Sequence, residues 1–285
     1  VTGALEARVA ERLAAWGVRA ERSVETETAS LVFGVRGDVP VVLKVARKPD
    51  DEWRGGEIAR AFGGRGVVQV YDYVDGAVLL ERLSPGTTLA DWALQDRDDE
   101  ATQKLAALLG KMSPADPPPP CATVEQWGEG FDRYLASADE RIPRALVVHA
   151  RRVYAELAAS QRNPALLHGD FHHYNVLLDD KRGWIAIDPK GVVGELEYEI
   201  GAALRNPWER PELLASADTI ERRLERFREA LGVDVDRARA WSFAQGVLSA
   251  VWSAEDGHEV DGRHAGLAVA RAIEQSSPFR TDFPA

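Results

Sequence analysis

The sequence predicts an α+β fold in two lobes, a small antiparallel-sheet lobe over residues 1–82 and a larger, mostly helical lobe over residues 83–285. Three observations carry this. β-Branched runs separated by turn residues crowd the first eighty positions. Helical spacing of apolar residues dominates from Thr88 onward. At 285 residues the chain is also long enough to bury the core such an arrangement needs.

Leu5, Val9, Leu13 and Trp16 recur at helical intervals, and Gly17 offers a stop, so a short helix is expected over residues 3–16. "SLVFGVRG" and "VVLKVAR", divided by "GDVP", read as a hairpin carrying Leu31–Val35 and Val41–Val45. A helix around Trp53, Ile58 and Phe62 ends at Gly63 and Gly64, and "VVQVYDYVDGAVLLERL" gives two more strands turning at Asp75 and Gly76. Beyond these, helices are expected over 88–112, 123–138, 143–160, 211–231, 236–254 and 262–275. The tract "SPADPPPPC" fits neither helix nor central strand, because consecutive prolines remove donors and favour extended backbone. It reads as a stiff spacer between helices, with a recognition motif for another protein as the alternative.

The totals exclude several classes. One cysteine, Cys121, cannot make an internal disulfide or a multi-thiolate metal site, which suits a reducing compartment; the cytoplasm is the expectation. No apolar run approaches the roughly 20 residues needed to span a bilayer, and the charged, amphipathic N-terminus lacks a signal-peptide core. A formal charge of −11 disfavours nucleic acid and favours a cationic small molecule, although most of it is accounted for by solvated surface. Nothing in the sequence demands more than a monomer.

The chemistry concentrates in "LLHGDFHHYNVLLDDKRGWIAIDPKG", residues 166–191. Asp170 and Asn175 fall on a loop, followed by a strand, a turn at Asp179–Gly183 and a second strand that delivers Asp188. Two carboxylates and an amide at one hairpin edge suit phosphoryl transfer, where one carboxylate orients and deprotonates a hydroxyl. The other carboxylate and the amide oxygen hold magnesium on the nucleotide phosphates. Hard oxygen ligands favour Mg2+, whereas His168, His172 and His173 alone would favour zinc; in such a loop histidines are more often structural. A lone "HGD" is a weak signal, but H-x-D-x-x-x-x-N followed by a strand ending in aspartate matches the catalytic loop and metal aspartate of protein kinases.

The other expected parts occur in order. Lys44 in "VVLKVAR" stands where a kinase places its phosphate lysine, although in isolation it reads as an ordinary strand lysine. Glu57 is the first candidate for its ion-pair partner and Glu52 the second. "LLERL" would join the lobes, with backbone groups at Glu81 and Leu83 meeting the adenine of ATP or GTP. Ser30 or neighbouring amides are the candidate phosphate contacts, because "ETETASLVFGV" lacks a glycine-rich loop.

On these motifs the chain resembles the aminoglycoside phosphotransferase superfamily of small-molecule kinases, within it the streptomycin 6-phosphotransferase and hydroxyurea phosphotransferase group. "HGDFHHYNVLL" and "IDPKGVVGELEYEIGAALRNP" carry the likeness, supported by "VVLKVAR", "EIARAFGG", "VLLERL" and "LSAVWSAEDG". The resemblance implies a protein-kinase-like bilobal fold. It makes Asp170 the catalytic base, Asn175 and Asp188 the Mg2+ ligands and Lys44 the phosphate lysine. It also makes His168 and Glu199 structural supports of the loop. D-P-K replaces the D-F-G of protein kinases, and there is no room for a long activation loop.

For the acceptor, the resemblance implies streptomycin, whose guanidinium groups call for acids and aromatic faces. Trp252, Glu255 and Asp256 supply them in a short span, though the same residues also read as a helix end running into a solvated acidic loop. A kinase of the same fold acting on hydroxyurea or a small metabolite, and a non-catalytic nucleotide-binding pseudokinase, are the alternatives.

Overall fold

Strand residues 41–45 alternate strictly between two faces, and this alternation positions everything downstream. Val41, Leu43 and Val45 are buried against Leu5, Val9 and Leu13 of the first helix, so Val42 and Lys44 face the other way. The computed structural model describes residues 2–49, 51–112, 118–210 and 216–276, with the side chains of residues 2, 51 and 52 outside that set. Helix α1 (Thr2–Ala15) precedes strands β1 (Val18–Glu25), β2 (Ala29–Arg36) and β3 (Val39–Ala46). Helix α2 (Gly55–Ala61) and strands β4 (Val70–Val74) and β5 (Ala77–Glu81) follow, giving an antiparallel sheet of order β1-β2-β3-β5-β4.

Strand β1 escaped the sequence reading. Seven of its eight residues are exposed and it follows no period-two pattern, as an edge strand bearing charges does. Helix α2 is shorter than expected: a 3-10 turn covers Asp51–Arg54 and the α-helix opens only at Gly55. Gly56 is required there, because a Cβ would stand 2.5 Å from the Tyr73 side chain.

The remaining chain is mostly helical, with short strands at the site. Strand β6 (Pro85–Thr88) leads into α3 (Leu89–Leu94) and α4 (Asp98–Leu109), where one helix over 88–112 was expected. The break falls at Asp96, whose φ of 61° no helix accommodates. Thr88 starts α3 with a capping box to Asp91, and Thr123 starts α5 (Val124–Ala136) with one to Gln126, each contributing about 1 kcal/mol. After β7 (Ala122–Thr123) and α5 come α6 (Arg144–Ala159), β8 (Ala165–Leu167), β9 (Val176–Asp179), β10 (Gly183–Ala186) and β11 (Val192–Gly194). Helices α7 (Leu196–Leu204), α8 (Ala217–Leu231), α9 (Val235–Glu255) and α10 (Ala265–Ser276) complete the described chain. The first five positions of the helix expected over 211–231, and residues 113–117 of the proline tract, lie outside the described residues.

Helix α9 is the axis of the larger core. It buries residues on every side, Trp241, Phe243, Val247, Leu248 and Val251 among them, so it carries no polar face to read. Gly246 and Gly266 let α10 cross it closely, since a Cβ on Gly246 would lie 2.4 Å from the Gly266 carbonyl. Two ion pairs are sealed into this half, Arg223 with Asp98 and Arg237 with Glu195, the latter fully buried on both sides. No described helix is long and apolar enough to cross a membrane.

Candidate active site

The register of one hairpin sets the site. Val176 pairs with Ala186 across β9 and β10, and one step further the Ile187 N–H donates to the Asn175 carbonyl at 2.8 Å, so Asn175 and Asp188 meet at the hairpin's open end. The buried His168 ring bonds the Ile187 carbonyl through Nε2 at 2.9 Å, and its Nδ1 accepts the Asp170 N–H at 3.3 Å. Lys190 and Gly191 in turn donate their N–H groups to the His168 carbonyl at 2.9 and 3.0 Å. Asn175 Nδ2 then donates to the Asp170 carbonyl at 2.9 Å and approaches its Oδ2 at 3.3 Å. Asp170, Asn175 and Asp188 thus converge, and the Lys44 ammonium, arriving from β3, pairs with the Asp188 carboxylate. Asp188 holds a left-handed φ of 61°, strain that a non-glycine residue bears where its side chain must be aimed.

Glu199 stands beneath the loop. It accepts the N–H of His168 at 2.5 Å and of Gly169 at 2.9 Å. Burial pushes its carboxyl up to about 7 despite those donors. Burial has the opposite effect on the bases, pushing His168 down to about 4 and His173 well below the usual imidazole range. Both histidines are therefore neutral when folded, and each takes up a proton on unfolding at an ordinary pKa near 6.5. A depressed folded pKa gives stability that is complete above about pH 6.5 and declines as pH falls toward 4. Glu199 works in the opposite sense between about 4.5 and 7, but one carboxyl is set against two imidazoles. The expected result is a Tm that falls from pH 7 to pH 5, with the fall reduced in His173→Leu; a variant with the wild-type slope would refute this.

Burial alone would raise the Asp170 carboxyl, yet His172 at 3.4 Å, Lys190 at 3.7 Å and Arg205 at 4.0 Å outweigh it and hold the group well below the usual carboxylate range. Of these three, the sequence reading named His172 only as a structural histidine, and did not single out Lys190 or Arg205. Lys190 follows Asp188 in D-P-K, and Arg205 is the one charge closing the apolar run "IGAAL"; that isolated charge is the signal that marks it.

A cavity of 730 Å³ opens on Asp170. Trp252, Glu255 and Asp256 line it, as do Trp127, Trp208, Lys190 and Arg205. Trp127 and Trp252 meet edge to face at 5.5 Å. Glu255 is already engaged in a two-pronged bond with Arg133 at 2.8 and 3.1 Å.

Two expectations for the small lobe are corrected and a third is narrowed. Glu57 does not reach Lys44: it falls in the first turn of α2 and pairs with Arg54, while Ile58 and Ala59 take the buried face. Glu52, the second candidate, has its side chain outside the described residues. Ser30 pairs in register with Val45 and so faces α1, where its hydroxyl donates to Glu25 at 2.6 Å; Leu31, opposite Lys44, holds the cleft-side position. At Glu81 the expected contact narrows to the backbone carbonyl, because the N–H donates to the Gln69 carbonyl at 3.0 Å while the carboxylate pairs with Arg182. Leu83, past the strand end, is half-buried against the core.

The donor set fits a magnesium ion. Asp188 offers carboxylate oxygen, and Asn175, with Nδ2 turned to Asp170, keeps Oδ1 for a second hard contact. Among the described residues no three His, Cys, Asp or Glu side chains form a metal cluster by themselves. This suits an ion that completes its shell with phosphates and water.

A lysine–aspartate pair under an antiparallel sheet, a loop braced by the buried His168 and His173, and an ionised aspartate on a drug-sized cavity define a small-molecule phosphotransferase of protein-kinase-like fold. Over residues 15–257 the sequence matches the family described as aminoglycoside/hydroxyurea antibiotic resistance kinase, and the chain belongs to that family. It is 33% identical over 249 residues to a streptomycin 3''-kinase of Klebsiella pneumoniae, covering 85% of this chain and 91% of that one. It is 33% identical over 280 residues to a hydroxyurea phosphotransferase of Kitasatospora aureofaciens, covering 94% and 78%. A streptomycin 6-kinase of Streptomyces griseus is 31% identical, covering 89% and 83%. Two solved structures share the fold at low identity. A choline/ethanolamine kinase family protein from Mesorhizobium loti has TM-score 0.67 and 16% identity, covering 96% of this chain and 95% of that one. The aminoglycoside phosphotransferase APH(4)-Ia has TM-score 0.64 and 18% identity, covering 95% and 99%.

Proposed function

We propose that the protein transfers the terminal phosphoryl group of a nucleoside triphosphate directly to a hydroxyl of an aminoglycoside, streptomycin foremost. The observation that carries the reading is that Asp170, on the 730 Å³ cavity, is joined through Asn175 to the hairpin end that carries the Lys44–Asp188 pair. Asp170, held ionised, orients the acceptor hydroxyl and takes its proton. Lys44 contacts the nucleotide phosphates, and the Glu81 carbonyl and the backbone of Leu83 are the hinge candidates for adenine. Asp188 and Asn175 would hold magnesium, which when bound neutralises charge on the phosphates. Glu199 and His168 keep the loop in shape.

Streptomycin kinases among the relatives support the acceptor, as do the Trp127, Trp252 and Asp256 walls for a guanidinium-bearing sugar. A second reading, hydroxyurea, is favoured by the Kitasatospora relative, equal in identity and longer in coverage. The size of the cavity weighs against so small an acceptor. Incubation with Mg2+, ATP or GTP and a panel of streptomycin, other aminocyclitols, hydroxyurea and amino alcohols tests both. A phosphate mass gain on streptomycin is expected; gain on hydroxyurea alone, or on nothing, rejects the first reading.

Within that reading, Asp256→Asn and Glu255→Gln are expected to raise KM for streptomycin roughly five- to tenfold while nucleotide affinity holds, the loss of a charge-assisted contact in each case. Equal weakening of both substrates would count against an acceptor role.

A further inference from the structure

We propose that Lys190 is a catalytic residue whose ammonium group contacts the phosphoryl group as it passes from the nucleoside triphosphate to the acceptor. The proposal rests on the phosphotransferase reading above. Its basis is where one short turn puts its charges. Asp188 begins the turn and faces Lys44 on the small-lobe side, while Lys190 ends it with Nζ 3.7 Å from Asp170 Oδ2. The backbone fixes this placement, since the N–H groups of Lys190 and Gly191 both bond the His168 carbonyl two residues before Asp170.

In-line transfer needs the acceptor oxygen at Asp170 and the leaving oxygen near Lys44 and Asp188. The moving group therefore travels between Asp188, whose charge Lys44 meets, and Asp170. Lys190 brings a further cation to that passage, two residues after Asp188 and 3.7 Å from Asp170 Oδ2. Its distance from Asp170 is that of an ion pair, longer than a tight hydrogen bond and well within Coulomb range. Lys190 is about one-third exposed and lines the 730 Å³ cavity as well as the adjoining 490 Å³ cleft beneath α2. Arg205 is a different kind of charge. It approaches the opposite oxygen, Oδ1, at 4.0 Å, is bonded to Gln245 Oε1 at 3.2 Å and is largely buried, so it acts as a fixed counter-charge to Asp170.

In the step, the acceptor oxygen forms a bond to the γ-phosphorus and the hydroxyl proton passes to the Asp170 carboxylate. The bond from that phosphorus to the β–γ bridging oxygen breaks, and its electron pair leaves on the nucleoside diphosphate. The three non-bridging oxygens keep their charge throughout, and a Lys190 N–H donates to one of them. Nothing is oxidised or reduced.

The test compares Lys190→Ala and Lys190→Arg in the full chain, on whichever panel acceptor the wild type phosphorylates, with nucleotide Kd and Tm measured alongside. Lys190→Ala is expected to lower kcat by roughly 10²–10³-fold, as loss of one transition-state donor does. Acceptor KM, nucleotide Kd and Tm should stay near wild type, and Lys190→Arg should recover at least about tenfold of the rate. A kcat for Lys190→Ala within about threefold of wild type, or a loss confined to KM, overturns the proposal. So does a Lys190→Arg variant as slow as the alanine one. A wild-type chain that phosphorylates no acceptor defeats the phosphotransferase reading itself, and this proposal with it, a result distinct from all of these.

Discussion

Replacing Asp170 by asparagine is expected to lower kcat by roughly 10³–10⁴-fold with little change in nucleotide Kd, measured by coupled assay and by nucleotide titration. The substitution is nearly isosteric, so Asn175 Nδ2 keeps the Asp170 carbonyl at 2.9 Å and the loop keeps its bond to Glu199. What is lost is an anion. Three positively polarised neighbours, His172, Lys190 and Arg205, hold that anion ionised, and with a neutral amide in its place they face nothing that can accept the hydroxyl proton. Because Lys44 and Asp188 are untouched, nucleotide binding is the internal control. A variant that turns over within tenfold of wild type would remove Asp170 from proton transfer.

Arg237→Ala is expected to be the most damaging change far from the cavity. Glu195 has no exposure and depends on Arg237 Nε and Nη2 at 2.9 and 2.6 Å, on the Trp241 indole N–H and on the Arg162 N–H at 2.9 Å. Removing the guanidinium leaves a carboxylate in the core, at a cost of about 3–5 kcal/mol and a fall in Tm of roughly 5–15 °C by calorimetry. The pair as a whole carries less. Arg237→Met combined with Glu195→Met is expected to recover much of the loss, because the desolvation of both charges disappears with them. A double variant no more stable than Arg237→Ala would show that the hydrogen bonds to Ser160 and Leu157, and not the stranded charge, set the cost.

How much of this was legible in the sequence divides by the reach of the interaction. The His168–Asn175 loop and its hairpin were readable because the spacing from His168 to Asn175 and the Asp179–Gly183 turn are local and leave one sensible register. The placement of Lys44 was readable for a similar reason, since alternation in "VVLKVA" puts it opposite the buried valines. The same alternation, applied across to β2, would have excluded Ser30, but that required knowing that Ser30 pairs with Val45. Glu57 was misplaced because the helix was begun at Trp53, whereas the 3-10 turn and Gly56 start it later and rotate Glu57 toward Arg54. Strand β1 gives no signal because solvent covers it, and the ring of His172, Lys190 and Arg205 gives little because its members come from three separate elements.

Gly191 brings one more consequence. With φ at +78° and no side chain, it lets Ile58 of α2 approach so closely that an added Cβ would sit 2.7 Å from the isoleucine methyl. The turn bearing Asp188 and Lys190 is thereby keyed to the small lobe like a tenon in its mortise. A side chain at position 191 would therefore have to push helix α2 off the turn that carries both charged groups.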